Sequence, residues 1–283
     1  MKKKILLPTD FSRNSWNAIQ YALELYKNEI CDFYVLNTFN ATGYALESMM
    51  VPEPGEKIYE EAKEKSEKGL GKILERLAFR DDNPNHKFFM VSRFNSLLDA
   101  IKDFVDKEDI QMIIMGTKGS TDARDVIFGS NTVMVMEKSR NCPVMAIPEE
   151  ASYNELKEIV FPTNYRMNFK HRELQDIIEA SKMSDAAIRV LYASDGDPLD
   201  KEQENNKKLL SEIFGGLPHT FHTLSNVDPQ SAVRCFVESR ESDMITFFNR
   251  KHSFFGSIFS RPMVKSLGRY SKVPVLALHD LRN

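Results

Sequence analysis

Lys4-Ile5-Leu6-Leu7-Pro8-Thr9-Asp10 returns later in the chain as Glu158-Ile159-Val160-Phe161-Pro162-Thr163-Asn164. Each copy is a short apolar run stopped by Pro-Thr and then by an Asp or Asn. Two more runs recur in the same order. Gln111-Met112-Ile113-Ile114-Met115 is echoed by Asp243-Met244-Ile245-Thr246-Phe247. Asn141-Cys142-Pro143-Val144-Met145-Ala146-Ile147 is echoed by Lys272-Val273-Pro274-Val275-Leu276-Ala277-Leu278. Three matches in one order make chance a poor explanation. The period, about 140 residues, is the size of a domain and too long for a solenoid repeat. The chain therefore reads as two tandem domains, 1–149 and 150–283, with the seam in the polar stretch 149–154.

Outward from the first run, apolar strands alternate with helical patterns. Residues 5–7 read as a buried strand. Over 14–26 the apolar positions Trp16, Ile19, Ala22, Leu23 and Tyr26 follow a helical period. A strand over 32–39, a charged helix over 56–79 and a strand over 87–91 come next. A helix over 96–105, a strand over 111–115, a helix over 130–138 and a strand over 144–147 complete the half. The second half repeats the order with shorter connections. Short, nearly all-apolar strands between helices imply a parallel sheet covered on both faces. The fold class is thus α/β: two tandem, doubly wound, parallel five-stranded sheets. In such folds ligands bind outside the carboxyl ends of the strands, where strand order reverses. That directs attention to the loops after Leu7 and Met115.

Composition narrows the function. With 42% hydrophobic and 28% charged residues, the 283-residue chain can fill two cores. A net charge of −3 lacks the basic excess of a nucleic-acid binder, so no nucleic-acid partner is expected. No run is long and apolar enough to span a bilayer, so no membrane partner is expected either. Met-Lys-Lys-Lys at the start leads into only Ile5-Leu6-Leu7 before Pro8, short of the roughly 7–15 apolar residues of a signal peptide. Cys31, Cys142 and Cys235 are odd in number and far apart, which fits a reduced compartment and bland thiols. A cytoplasmic location follows from both.

The chemistry concentrates after the fourth strand. Met115-Gly116-Thr117-Lys118-Gly119 is followed, nine residues on, by Gly129-Ser130-Asn131-Thr132 opening a helix. Two glycines spaced by two allow a tight turn that presents bare N–H groups. A glycine just ahead of a helix lets an anion reach the helix N-terminus, where the dipole favours negative charge. The competing structural reading is a plain turn, with Ser130 serving as an ordinary N-cap. Neither the GxxxxGK[ST] loop nor a GxGxxG after the first strand is present, which argues against a P-loop NTPase and a Rossmann dehydrogenase.

Gly-x2-Gly-x9-Gly-Ser, carried here by Gly116, Gly119, Gly129 and Ser130, resembles the ATP-binding signature of the universal stress protein family. Pro8-Thr9-Asp10 and Cys142-Pro143-Val144-Met145 also look like that family, and the likeness covers the chain as two copies. It implies an adenine nucleotide α-hydrolase-like fold and bound ATP, with Mg²⁺ as its counter-ion. By the same resemblance Pro8, Asp10 and Thr38 would sit near the nucleoside. Met115, Gly116 and Thr117 would line the ribose and phosphate path, and Gly119, Gly129, Ser130, Asn131 and Thr132 would hold the phosphates. Lys118 reads equally as a phosphate contact or as a solvated loop lysine.

The second half departs from the signature. Phe248 stands where Gly116 stands, Lys251 or His252 replaces Gly119, Ser260-Arg261 replaces Gly129-Ser130, and Asn164 replaces Asp10. A Phe in place of the first glycine should block close backbone approach. Phe254-Phe255-Gly256-Ser257, near Arg250, Lys251, Arg261 and Lys265, offers at best a weak anion site. The degenerate half reads instead as an intramolecular pseudo-dimer partner or a protein-docking surface through Phe254, Phe255 and Phe259. Homodimers of the tandem chain are an alternative assembly.

Other candidates carry less. His219 and His222, three apart on a strand, point to opposite faces and cannot share a metal. The charged run 60–68, with Glu61/Lys65 and Glu64/Lys68 at i,i+4, reads as a solvated helix face. The long connection 40–55 reads as a lid or as an insertion. Three functional classes remain. The first is a nucleotide-dependent stress-response or regulatory module. The second is a slow ATP hydrolase or transferase using Asp10 or Lys118, although no catalytic base or arginine finger is legible. The third is a scaffold that binds no nucleotide. An intact glycine pattern in one half only favours the first, because a purely structural constraint should act on both halves alike.

Overall fold

The computed structural model of the protein describes residues 2–39, 53–118, 129–139, 141–194, 196–249 and 273–279. Gly119, most of the connection 40–55, and the residues 250–265 singled out above lie outside the described residues. In the first half the elements run β1 (Lys3–Pro8), α1 (Arg13–Leu25), β2 (Cys31–Phe39), α2 (Lys57–Arg80), β3 (His86–Phe94), α3 (Leu97–Glu108), β4 (Met112–Gly116), α4 (Ser130–Lys138) and β5 (Val144–Ile147). In the second they run β6 (Glu158–Pro162), a short 3-10 turn (His171–Leu174), α5 (Gln175–Ser184), β7 (Ala187–Ser194), α6 (Lys201–Ile213), β8 (His219–Ser225), α7 (Pro229–Arg240), β9 (Met244–Asn249) and β10 (Val275–His279).

The expected alternation holds, but the two sheets are not separate. They form one ten-stranded sheet ordered β3-β2-β1-β4-β5-β10-β9-β6-β7-β8. Each half is parallel within itself. The seam is antiparallel, pairing Ala146 with Val275, Met145 with Leu276 and Val144 with Ala277. Edge sterics explain the join. β5 and β10 are buried along their whole length, and as free edges each would present an apolar strand with unpaired backbone groups.

Strand alternation divides the core. Ile5 and Leu7 face α1 and α2, meeting Ile19, Ala22, Leu70, Ile73 and Leu77. That core runs on without a break into Ile159, Phe161, Ile177 and Leu210 of the second half. Leu6, Ile113 and Met115 face the other way, under Ile101 and Phe104 of α3 and Val135 of α4. Cys31 and Cys142 are buried free thiols and Cys235 is an exposed one. Burial pushes the Cys31 thiol up to about 12, so it is inert packing rather than a nucleophile.

The duplication is geometric as well as textual. Thr9 N donates to Leu36 O and Thr163 N to Leu191 O, both at 2.8 Å. Phe11 N donates to Thr9 Oγ1 at 3.0 Å, and Tyr165 N to Thr163 Oγ1 at 3.1 Å. Phe11 and Tyr165 both take positive φ, 66° and 56°. The repeated Pro-Thr-Asp/Asn is therefore a strand-to-helix turn held by its own Thr and Asx side chains.

Candidate functional site

β1 and β4 are neighbours at the point where strand order reverses, and their carboxyl ends carry most of the expected residues. Pro8 closes β1, and Asp10 follows in the turn, exposed at the mouth. Asp10 Oδ1 accepts from Ser12 N at 3.0 Å. Asn164 Oδ1 accepts from Arg166 N in the same way. That bond is turn geometry shared by both halves; what distinguishes Asp10 is its charge. Ser12 caps α1, accepting from Ser15 N at 3.1 Å.

The turn after β4 is pulled against the start of α1. Asn14 Nδ2 donates to Thr117 Oγ1 and to Lys118 O, each at 3.3 Å. A Cβ on Gly116 would fall 2.9 Å from Asn14 Cγ and 3.1 Å from the Asn14 backbone carbon. The first glycine of the signature is thus required by strand-to-helix packing, a reason distinct from the ligand approach expected of it. Register carries the comparison to the other half. Ile5 pairs with Met112 and Ile159 with Met244, so Gly116 and Phe248 are equivalent positions. Phe248 fills its place by packing on Phe169, ring centroids 5.1 Å apart.

Several expected side chains are committed to structure. Met115 is buried in the core, which leaves only its main chain to face a ligand. Thr117 is 1% exposed, with its hydroxyl bonded to Asn14. Thr132 is buried and donates from Oγ1 to Gly116 O at 2.8 Å. Gly129 N donates to Thr117 O at 2.7 Å, which fixes where α4 begins. Ser130 and Asn131 stand exposed in the first turn of α4. Gly129, and not Ser130, is the N-cap, so no side chain caps this helix, and its first turn holds no acidic residue. Every other described α-helix has a side-chain cap or an acid in its first turn. Among the described residues, therefore, no cap or first-turn acid offsets the positive end of the α4 dipole. Thr38 lies half-buried at the end of β2, on the far side of β1.

Two residues that the sequence did not single out for the site hold it together. Asn37, a buried amide in β2, donates from Nδ2 to Thr9 O at 2.7 Å. Asn14, at the start of the helix read over 14–26, is the clamp described above. The available signal was a polar residue within β2, and Asp32 and Thr38 give the same signal as Asn37. His219 and His222 turn to separate partners: Ser211 Oγ and Leu217 O for the first, Thr220 Oγ1 for the second. Among the described residues no group of three His, Cys, Asp or Glu could hold a metal ion, and no helix is long and apolar enough to cross a membrane.

Comparison with known proteins agrees with this fold. Residues 1–148 match the model of the universal stress protein family. A universal stress protein of Methanocaldococcus jannaschii is 28% identical over 148 residues, covering 51% of this chain and 81% of that protein. A second from the same organism is 28% identical over 168 residues, covering 54% of this chain and 98% of its own length. In fold, the crystal structure of a universal stress protein from Archaeoglobus fulgidus aligns over 98% of this chain and 96% of its own, with TM-score 0.69 at 20% identity.

Proposed function

The chain belongs to the universal stress protein family, and on that footing we propose that its first half binds one adenine nucleotide, ATP with Mg²⁺, as a nucleotide-dependent stress-response module. The observation that carries this reading is α4, the described α-helix with neither a side-chain cap nor a first-turn acid, set beside the carboxyl ends of β1 and β4. An anion at that helix end gains the first-turn N–H groups of Ser130, Asn131 and Thr132 together with the Ser130 hydroxyl. Asp10 at the mouth suits a ribose hydroxyl or a base amine. Pro8, Thr38 and the Met115–Thr117 main chain would complete the nucleoside side, and Gly116 with Asn14 would hold the turn in place.

Domains 1–149 and 150–283 then divide the labour. The first is the nucleotide unit. The second, with Phe248 packed on Phe169 where the first has Gly116 on Asn14, is the intramolecular partner. A cytoplasmic setting is consistent with the buried free thiols. Calorimetric titration of the full chain with Mg·ATP tests the reading. A stoichiometry near one, with affinity reduced at least tenfold by Asp10→Ala and by Ser130→Pro, is expected. No heat with nucleotide-free protein refutes binding, and two sites refute the assignment to one half. Steady phosphate release, lost in Asp10→Ala with binding retained, would move the reading to a hydrolase.

A further inference from the structure

A cleft lies on the face of the sheet covered by α1 and α2, opposite the face covered by α3 and α4. It encloses about 560 Å³, a volume suited to a small molecule and cramped for a folded peptide. One wall is α2, from which Lys65, Lys68, Lys72 and Arg76 all line the cleft. Their spacings of three, four and four put them on one helix face. At 1.5 Å per residue the successive cations are about 4.5–6 Å apart along the helix axis. The carboxylates at the same cleft, Glu61 and Glu64, are each engaged along the helix, Glu61 with Lys57 at 3.8 Å and Glu64 with Lys68 at 2.6 Å.

The opposite wall is built from α1 and the turn before it. Trp16 lies under the Arg76 guanidinium, 3.7 Å from its centroid to the cation, which holds that fork in a fixed plane. Phe11 packs against α2 at Gly69, in a notch that only glycine leaves open. A Cβ at Gly69 would fall 2.3 Å from Phe11 Cζ. A glycine inside a helix is a poor helix former, and here it admits the ring of a partly exposed Phe. Thr9 and Ser12 line the same cleft, their hydroxyls engaged in the turn and the α1 cap.

We propose that this cleft binds an oligophosphate anion laid along α2, with Lys65 and Lys72 meeting its phosphates as point charges, Lys68 shared with Glu64, and the planar Arg76 fork closing the row. A row of cations along a pocket of this volume matches an anion with repeated charges better than a single carboxylate. Its cations lie on α2, apart from the N-terminus of α4, while its opposite wall shares the turn that carries Asp10. Free oligophosphate and the phosphate tail of a nucleotide share this chemistry.

Trp16 is the sole tryptophan of the chain, so its emission reports on this cleft. Full-length protein is titrated with sodium tripolyphosphate at constant ionic strength, with sodium chloride as the matched control. A saturable emission change is expected, with half-saturation raised at least tenfold in Lys65→Gln/Lys72→Gln and unchanged in Ser130→Pro. Both lysines are exposed on α2, so the variant keeps its fold, which circular dichroism checks. An equal response to chloride, no saturation, or a signal lost with Ser130→Pro overturns the proposal. Repeating the titration with ATP on the Ser130→Pro background identifies the source: binding tenfold tighter than tripolyphosphate assigns the site to a nucleotide, and equal or weaker binding assigns it to free oligophosphate.

Discussion

Gly116→Ala puts the packing argument for the candidate site under direct test. The added methyl would lie 2.9 Å from Asn14 Cγ, 3.0 Å from Nδ2 and 3.1 Å from the Asn14 backbone carbon. The amide can swing away, but doing so breaks its bonds to Thr117 Oγ1 and Lys118 O. The backbone contact cannot be relieved by a rotamer change, so α1 must yield by a few tenths of an ångström. Overpacking of this kind costs about 1–3 kcal/mol, and two long hydrogen bonds add roughly 0.5 kcal/mol each. Together they give roughly 2–4 kcal/mol, or about 4–8 °C in Tm for a chain of this size. The decisive assay is a double-mutant cycle with Asn14→Ala, by urea unfolding. Removing the amide clears two of the three close contacts, so the double variant should be more stable than the sum of the singles by roughly 1–2 kcal/mol. A Gly116→Ala cost below about 0.5 kcal/mol, or strict additivity, would refute the view that Gly116 exists to admit Asn14.

Three further outcomes follow from other parts of the molecule. Phe248→Ala, which empties a buried site against Phe169, should cost about 3–5 kcal/mol by urea unfolding and should not create a second nucleotide site by calorimetry. Burial disfavours the Glu158 carboxylate, but hydrogen bonds from Arg240, Arg189 and Ser242 outweigh it and bring its pKa from 4.5 down to about 2. Its contribution is complete above about pH 5 and is lost as pH falls toward 2; Tm measured against pH should drop through that window, and less steeply in Glu158→Gln. Asp176 behaves oppositely, because burial first and neighbouring Glu179 second push it up to about 7. The folded state then binds more protons than the unfolded between about pH 4 and 7, so stability falls as pH rises across that range; Asp176→Asn should raise Tm at pH 8 and make no difference near pH 4.

The sequence by itself determined the repeat, the α/β class and the order of elements. It could do so because the signals are local: apolar runs such as Ile5–Leu7 of a length only strands need, and a 3.6-residue period through Ile19, Ala22 and Leu23. It also directed attention to the candidate site's neighbourhood, since the glycine spacing and the ends of β1 and β4 are readable from the chain. Tertiary structure alone decided how the halves join. Val144–Ile147 reads like any buried strand, and nothing in it announces an antiparallel partner at Val275–Ala277, more than a hundred residues away. The same distance hid the clamps: Asn14 and Thr117 are 103 positions apart, and an amide's partner cannot be inferred from its neighbours in sequence. It also changed why residues are needed. Gly116 is small for Asn14, Thr132 spends its hydroxyl on Gly116 O, and Gly129 displaces Ser130 as the cap of α4. Each of these is a contact between segments that meet only once the sheet has brought the ends of β1 and β4 side by side.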